Sequence, residues 1–412
     1  MPQQAWHHAG VISSVGITGT NGKTTTTVWI AAALRALARA EGSGPVARAT
    51  TVGFFLDDEE VAVVPSYEGF VAAMAACSER GGRHAAIELT SEALARGFTR
   101  SWPCSVGVFT NLSHDHLDAH GSAEHYLASK AQLFLTLPPG GTAVLNAADD
   151  VFELLREIIP AGVSVRSFAV PSRGPVHGAP DLVATKVDVS WSGTRVTCAV
   201  GDAASALPQT LHVRGIGEVY AENALAALLG AVAAGVPPAL AAAAIAEAAP
   251  PPGRFEVVHE RPYVVVDYAH GPDALARTVH TARDLASASG SLVVVFGAGG
   301  NRDRDKRRPM GEAARLADHV ILTSDNPRDE DPEEIARSIA GGLRGHSSVR
   351  TELDRRKAIT SAIEAAGEHD VVLVAGKGHE TDQLALGQTT RLSDVDVAKD
   401  ALARRARRGS VT

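Results

Sequence analysis

The residues best equipped for chemistry come early, in "GITGTNGKTTTT" (Gly16 to Thr27). Gly19, Gly22, Lys23 and Thr24 stand between a short apolar run and a helical pattern, the setting in which a glycine-rich turn closes its amides around phosphate. Lys23 is then placed to reach the β- and γ-phosphates, and the Thr24 hydroxyl to ligate Mg²⁺. The spacing departs from the usual G-x₄-G-K-T, because Ile17 stands where the first glycine belongs. A second reactive set follows. "IELTSE" puts Glu88 at the end of an apolar run, suited to a divalent ion or a γ-phosphate, and "TNLSHDHLDAHG" (110–121) gathers three histidines and two aspartates. A loop of that kind is either a metal or phosphate site or a solvated surface. Lys130, a little further on, reads by itself as an exposed helical lysine.

The elements that must hold these groups alternate. "VISSVGI", "HAAIEL", "SVGVFTNL" and "GTAVLN" read as strands, while "TTTTVWIAAALRALARA" and "SAEHYLASKAQLFLTL" read as helices. Strand–helix alternation predicts a mainly parallel sheet covered on both faces. Residues 163–213, short Val/Thr-rich runs broken by Gly and Pro, predict a small antiparallel β insertion. "PPPGRFE" stops an Ala-rich helix and sets a boundary near residue 252. Beyond it, "YVVVDYAH", "SLVVVFGAGG", "HVILTSDNPR" and "DVVLVAGKG" predict four strands, each ending in a polar or glycine-rich loop. That is a smaller Rossmann-like α/β domain, with ligands expected at the carboxyl ends of its strands. The expected organisation is a leader (1–10), a phosphate-loop domain (11–252) and a second domain (253–412).

Composition bounds the partners. The chain has 412 residues, 45% hydrophobic and 21% charged, with a formal net charge of −8, so no overall basic field attracts nucleic acid. The basic run "RRARRG" near the end reads as a solvated tail. Three dispersed cysteines, Cys77, Cys104 and Cys198, form no metal-ligand spacing and suit a reducing compartment. The start lacks the layout of a secretory signal, and no apolar run approaches the ~20 residues of a membrane span. A cytoplasmic protein with small-molecule partners, and neither nucleic acid nor membrane, is expected.

Taken in order, "TGTNGKTTT", "TNLSHDHLDAHG" with Lys130, "GRFE", "DYAHGPD", "FGAGGNRDRDKRRPM", "SDNPR" and "AGKGHE" resemble the motifs of the Mur ligases, most of all the MurE type. The resemblance runs from about residue 10 to about residue 390. It implies an ATP-dependent amide ligase that converts a carboxylate to an acyl phosphate and passes the acyl group to an amine. It implies an ATP site of Gly19, Thr20, Asn21, Gly22, Lys23, Thr24 and Thr25, with Asn223 at adenine, Arg254 at the γ-phosphate, Asp267 at ribose and His270 nearby. It also implies two Mg²⁺ sites, drawing on Thr24 and on Glu88, His116 and an N-carbamylated Lys130. Lys23, Glu88, His116 and Lys130 are the implied catalytic set. Arg302, Asn326, Arg328, Gly376 and Glu380 match the diaminopimelate-reading pattern, in which Arg328 grips a carboxylate and Glu380 an ammonium. Folylpolyglutamate synthetases share the general architecture, but "DNPR" and "GKGHE" belong to the MurE side.

Departures from that pattern bear on the acid. MurE sequences usually read "MEVSSHAL" where this chain has "IELTSEAL", so Thr90 replaces a serine and Glu92, an anion, replaces a histidine. Val219 and Tyr220 replace the usual Phe/His-Asn pair, and Gly271 replaces Thr or Asn. A full MurE carries a UDP-sugar-binding domain before its ATP loop, whereas this loop begins at Gly16. The sequence therefore predicts a MurE-like ligase acting on a small carboxylate without a UDP handle. The alternatives are a peptidoglycan or recycling ligase whose UDP-binding domain is supplied elsewhere, and a non-catalytic nucleotide-binding scaffold.

Overall fold

The computed structural model describes residues 11–112, 122–201 and 206–409. By contacts the chain divides into two units, Met1–Pro251 and Pro252–Thr412.

The first unit is built on an eleven-stranded sheet among the described residues, in the order β11-β10-β9-β8-β7-β6-β1-β5-β2-β3-β4. The strands are β1 (Ser13–Thr18), β2 (Ala47–Thr50), β3 (Gly53–Leu56), β4 (Glu59–Glu60), β5 (His84–Glu88), β6 (Val106–Phe109), β7 (Thr142–Asn146), β8 (Ser164–Ala169), β9 (Leu182–Ser190), β10 (Gly193–Val200) and β11 (Thr210–Val213). The β1 run is buried almost throughout, as a strand covered on both faces must be. It pairs in parallel with β5 on one side and β6 on the other. The carboxyl ends of β1, β5 and β6 are therefore neighbours, and the loops leaving them share one place. From β1 the chain turns directly into α1 (Lys23–Glu41). Two further helices matter for the site: α2 (Ala123–Leu135) and α3 (Val219–Ala233).

The antiparallel region differs from its expected form. Strand β8, read as part of the insertion, pairs in parallel with β7 and belongs to the central sheet. Strand β10 is antiparallel to both β9 and β11, and the three extend the same sheet through a parallel β8–β9 pairing. The insertion is thus a continuation of the sheet rather than a separate module. The opposite edge, β2 to β4, is a short meander with no clear alternation in its sequence.

The second unit carries a six-stranded sheet, order β12-β13-β17-β14-β15-β16. Its members are β12 (Glu256–Glu260), β13 (Tyr263–Asp267), β14 (Leu292–Phe296), β15 (His319–Leu322), β16 (Val349–Thr351) and β17 (Val371–Ala375). All pair in parallel except β12 with β13. The four apolar runs read from sequence are β13, β14, β15 and β17, which lie side by side at the centre; the two edge strands are additions. Val264, Val266, Val295, Val372 and Val374 form the core with Ile359 and Ile363. A hairpin of β18 (Asp382–Ala385) and β19 (Gln388–Arg391) stands apart from both large sheets. No helix of the described residues is long and apolar enough to cross a membrane.

Candidate functional site

The loop after β1 is shaped by two glycines. Gly19 has φ 148° and Gly22, which precedes α1, has φ 83°, conformations that L side chains rarely adopt. Neither has room for a side chain. A Cβ at Gly19 would fall 1.9 Å from Thr110 Oγ1, and one at Gly22 would fall 2.1 Å from Asn223 Oδ1. No side chain caps α1, so its first amides keep the N-terminal positive end of the helix dipole available.

The loop after β6 braces this turn. Thr20 N donates to the Asn111 carbonyl at 2.7 Å, Asn21 N to Asn111 Oδ1 at 2.9 Å, and Thr110 Oγ1 to the Asn21 carbonyl at 2.7 Å. Sequence reading looked to the histidines of this motif and missed the Thr110–Asn111 pair at its head. Their place at the end of a buried strand, adjacent to β1, was the available signal. His116 lies outside the described residues, as do the other His and Asp residues of that loop.

Lys130 occupies a position opposite to the one it suggests when read alone. It is 1% exposed, on α2, and its Nζ donates to the Gly19 carbonyl at 2.6 Å. The same ammonium lies 4.2 Å from the centre of the Tyr126 ring, and Tyr126 Oη reaches Thr20 Oγ1 at 3.3 Å. Lys23 folds back on the loop, with Nζ to the Thr20 carbonyl at 2.8 Å. Thr24 Oγ1 donates to Glu88 Oε2 at 3.0 Å, and Glu88 also receives Thr51 N at 3.2 Å. Hydroxyl and carboxylate oxygens are the hard donors that Mg²⁺ selects. Among the described residues, no three His, Cys, Asp or Glu side chains come together as a metal cluster. Thr25 is buried behind the turn in the first helical turn.

Asn223, on α3, is 2% exposed, and its Oδ1 has no hydrogen-bond partner among the described residues. A buried acceptor pressed against the phosphate turn is what a donor on a bound nucleotide would satisfy. Next to it, Glu222 is paired with Arg173 and accepts from Asn146 at 3.3 Å. Burial pushes the Glu222 carboxyl up, against the pull of Arg173.

A cavity of about 680 Å³ lies beside Glu88, walled by Phe54, Val63, Tyr67, Phe70, Ala93 and Phe98. The rings hold one another: Phe70 meets Phe98 and Trp102 edge-on, each at 5.0 Å. Two of its hydroxyl groups, Ser66 and Thr90, accept from Gly69 N and Ala93 N at helix starts. Glu92 is exposed and pairs with Arg96, a residue that lines this cavity, at 2.5 Å. The reason is helical spacing, which stacks residues i and i+4 on one exposed face.

In the second unit, Asp267 at the end of β13 accepts from Phe255 N at 2.7 Å, Ala269 N at 2.9 Å and Thr278 Oγ1 at 2.9 Å. Three of its roughly four acceptor positions are therefore taken by the chain itself. Arg254 stacks over Tyr268 at 4.3 Å, and His270 Nδ1 lies 2.9 Å from the Tyr268 carbonyl. The loops leaving β14, β15 and β17 assemble the other predicted residues. Arg328 Nη1 donates to the Gly300 carbonyl at 2.7 Å. Asn326 Nδ2 donates to Glu380 Oε2 at 3.0 Å. Gly376, with φ 120°, leaves room for Asp325, whose Oδ2 would be 2.4 Å from a Cβ there. Arg302 is exposed on the loop after β14.

Comparison with known proteins gives two family matches, the Mur ligase middle domain over residues 17–231 and the Mur ligase glutamate ligase domain over residues 253–378. A UDP-N-acetylmuramoyl-L-alanyl-D-glutamate–2,6-diaminopimelate ligase of Synechococcus elongatus is 37% identical over 403 residues, 96% of this chain and 78% of that protein. The enzyme of the same name from Aquifex aeolicus is 37% identical over 396 residues, 95% and 77% of the two chains. A solved structure of a ligase of that name matches with a TM-score of 0.66 and 31% identity, covering 96% of this chain and 79% of the other. Mycobacterium tuberculosis folylpolyglutamate synthase, solved with ADP and AMPPCP, shares the fold with a TM-score of 0.70 at 19% identity, covering 96% and 92%.

Proposed function

The chain belongs to the Mur ligase family, whose members are ATP-dependent ligases that form amide bonds, and from that footing we propose that it joins a diaminopimelate-type amino acid to the carboxylate of a peptidoglycan precursor. The single observation that carries the choice is the relationship at 37% over nearly the whole chain to ligases of that name. The carboxylate attacks the γ-phosphorus of ATP, giving an acyl phosphate and ADP. The amine then attacks the acyl carbon, and phosphate leaves as the tetrahedral intermediate collapses.

Both reactants of the first step are anions, so the protein must supply positive charge and fixed dipoles. In this reading Lys23 and the amides opening α1, which no side chain caps, take the phosphates, and Asn223 Oδ1 accepts from the base. Thr24 and Glu88 would supply oxygen ligands to Mg²⁺, which would neutralise phosphate charge when bound. Lys130, as a carbamate, would add a carboxylate-like ligand; as an ammonium it pins the turn through Gly19. Arg328 and Glu380 offer a cation and an anion to a zwitterionic amino acid.

A second reading, an acid with no nucleotide handle, is favoured by the ring-walled cavity beside Glu88. Such a wall suits an apolar body better than a peptide rich in polar groups. ADP release with UDP-N-acetylmuramoyl-L-alanyl-D-glutamate, ATP and meso-diaminopimelate tests the choice. Turnover supports the precursor reading. No turnover there, with turnover on arylalkanoic or branched aliphatic acids, transfers the assignment to the second.

A further inference from the structure

The lysine of "GKGHE" plays no part in the chemistry above, yet Lys377 is 0% exposed. A buried ammonium must find acceptors for its three N–H groups. Lys377 finds three: Asn326 Oδ1 at 3.3 Å, Glu380 Oε2 at 3.5 Å and the Asp382 carbonyl. Two of these belong to residues expected to meet the amino acid, and the third opens the β18–β19 hairpin.

The partners of Lys377 are themselves tied together. Asn326 Oδ1 also accepts from Leu384 N at 2.9 Å, and its amide nitrogen donates to Glu380 Oε2 at 3.0 Å. The Asn326 side chain is thereby engaged by the protein through both its oxygen and one of its two amide N–H groups, which makes it a brace for the loop. Glu380 has Oε2 held by two donors, while its side chain remains 37% exposed, so the other oxygen is the one offered outward. Arg328 is fixed by the same hairpin. Its N–H donates to the Leu384 carbonyl at 3.0 Å, and its carbonyl accepts from Leu386 N at 2.6 Å. Asn326 (φ 43°) and Arg328 (φ 54°) both sit in the left-handed region, unusual for a residue such as arginine. A two-stranded hairpin is marginal on its own, so the clasp at Asp382 and Leu384 gives it a fixed place.

We propose that Lys377 is the positioning residue of the amino-acid site: its ammonium locks Asn326, Glu380 and the β18–β19 hairpin into one frame, which sets the separation between the Arg328 guanidinium and the Glu380 carboxylate. That separation selects amino acids whose distal charges match it. The inference rests on the ligase reading above.

The test uses the whole chain carrying Lys377→Met, assayed with meso-diaminopimelate and with hydroxylamine, an amine that needs no such frame. Losing charge-assisted hydrogen bonds to the two side chains should raise the diaminopimelate KM at least about tenfold. The ATP KM and the hydroxylamine-dependent ADP release should stay within twofold of wild type, and Lys377→Arg should recover part of the diaminopimelate KM. A diaminopimelate KM within threefold of wild type overturns the proposal, as does a parallel loss with both amines. If Lys377→Met does not melt cooperatively, Lys377→Gln replaces it; failure of both to fold makes the residue a general support and overturns the proposal too. Calorimetric binding of diaminopimelate to wild type and variant needs no turnover. Binding that weakens in the variant, with no ADP release from wild type, would sink the ligase reading alone.

Discussion

Replacing Gly22 by alanine places a methyl group where the structure has none to spare. The residue has φ 83°, and its new Cβ would lie 2.1 Å from Asn223 Oδ1 and 3.1 Å from Asn223 Cγ. Holding alanine in the left-handed region costs about 1–2 kcal/mol. Turning Asn223 out of its rotamer costs about 0.5–1.5 kcal/mol more. The free loop can relax away from this strain, whereas a bound triphosphate must draw it back, so the cost falls on binding. The sum, about 1.5–3.5 kcal/mol, corresponds to about 10- to 300-fold weaker ATP binding. Calorimetric titration with a non-hydrolysable ATP analogue measures it, with the melting temperature of the free variant as the control for folding. Asn223→Ala should cost less in the Gly22→Ala background than in wild type, because the clash has already displaced that side chain. Binding by Gly22→Ala within threefold of wild type, or strict additivity of the two substitutions, would refute the reasoning.

Three further outcomes are expected. Lys130→Ala should lower kcat by about 10²-fold or more, the scale of a lost electrostatic group in a dry site; rescue by acetate or propionate marks a carbamate, whereas weaker ATP binding without rescue marks a loop pin only. Arg328→Ala should raise the KM for the amino acid far more than that for ATP, since it removes a pair made to that substrate alone; equal effects on both would contradict its assignment. Burial raises the Glu222 carboxyl pKa, so the folded chain holds that proton more tightly than the unfolded chain. The corresponding stability is present below the ordinary glutamate value of about 4.3 and is lost as pH rises through the folded value. Glu222→Gln should therefore flatten the fall of melting temperature with rising pH, and a steeper fall in the variant would contradict the assignment.

Strand–turn–helix context made the phosphate loop legible, because the glycines at 19 and 22 and the lysine after them are local features. Glu88 was legible for the same reason, at the end of a buried run. Lys130 was not. Its burial depends on α2 carrying it to the Gly19 carbonyl, 111 positions away in sequence, and no local pattern reports that. The β2–β4 edge escaped notice because its strands are only two to four residues long, too short to show a period. Strand β8 was grouped with its antiparallel successors by composition, whereas pairing is decided by which edge of the sheet is vacant. Motif position alone pointed to Asn326 and Asp267; their hydrogen bonds within the chain, Asn326 with Lys377, Glu380 and Leu384 and Asp267 with Phe255, Ala269 and Thr278, are tertiary contacts that no motif reports.

The claim at the centre of the account is that the acid's own oxygen attacks the γ-phosphate. Its most direct test supplies UDP-N-acetylmuramoyl-L-alanyl-D-glutamate labelled with ¹⁸O in the reacting carboxylate, together with ATP and meso-diaminopimelate, and analyses the released phosphate by mass spectrometry. One labelled oxygen in each phosphate formed is the predicted result. Amide product accompanied by unlabelled phosphate would contradict an acyl phosphate and the roles assigned here to Lys23, Thr24 and Glu88.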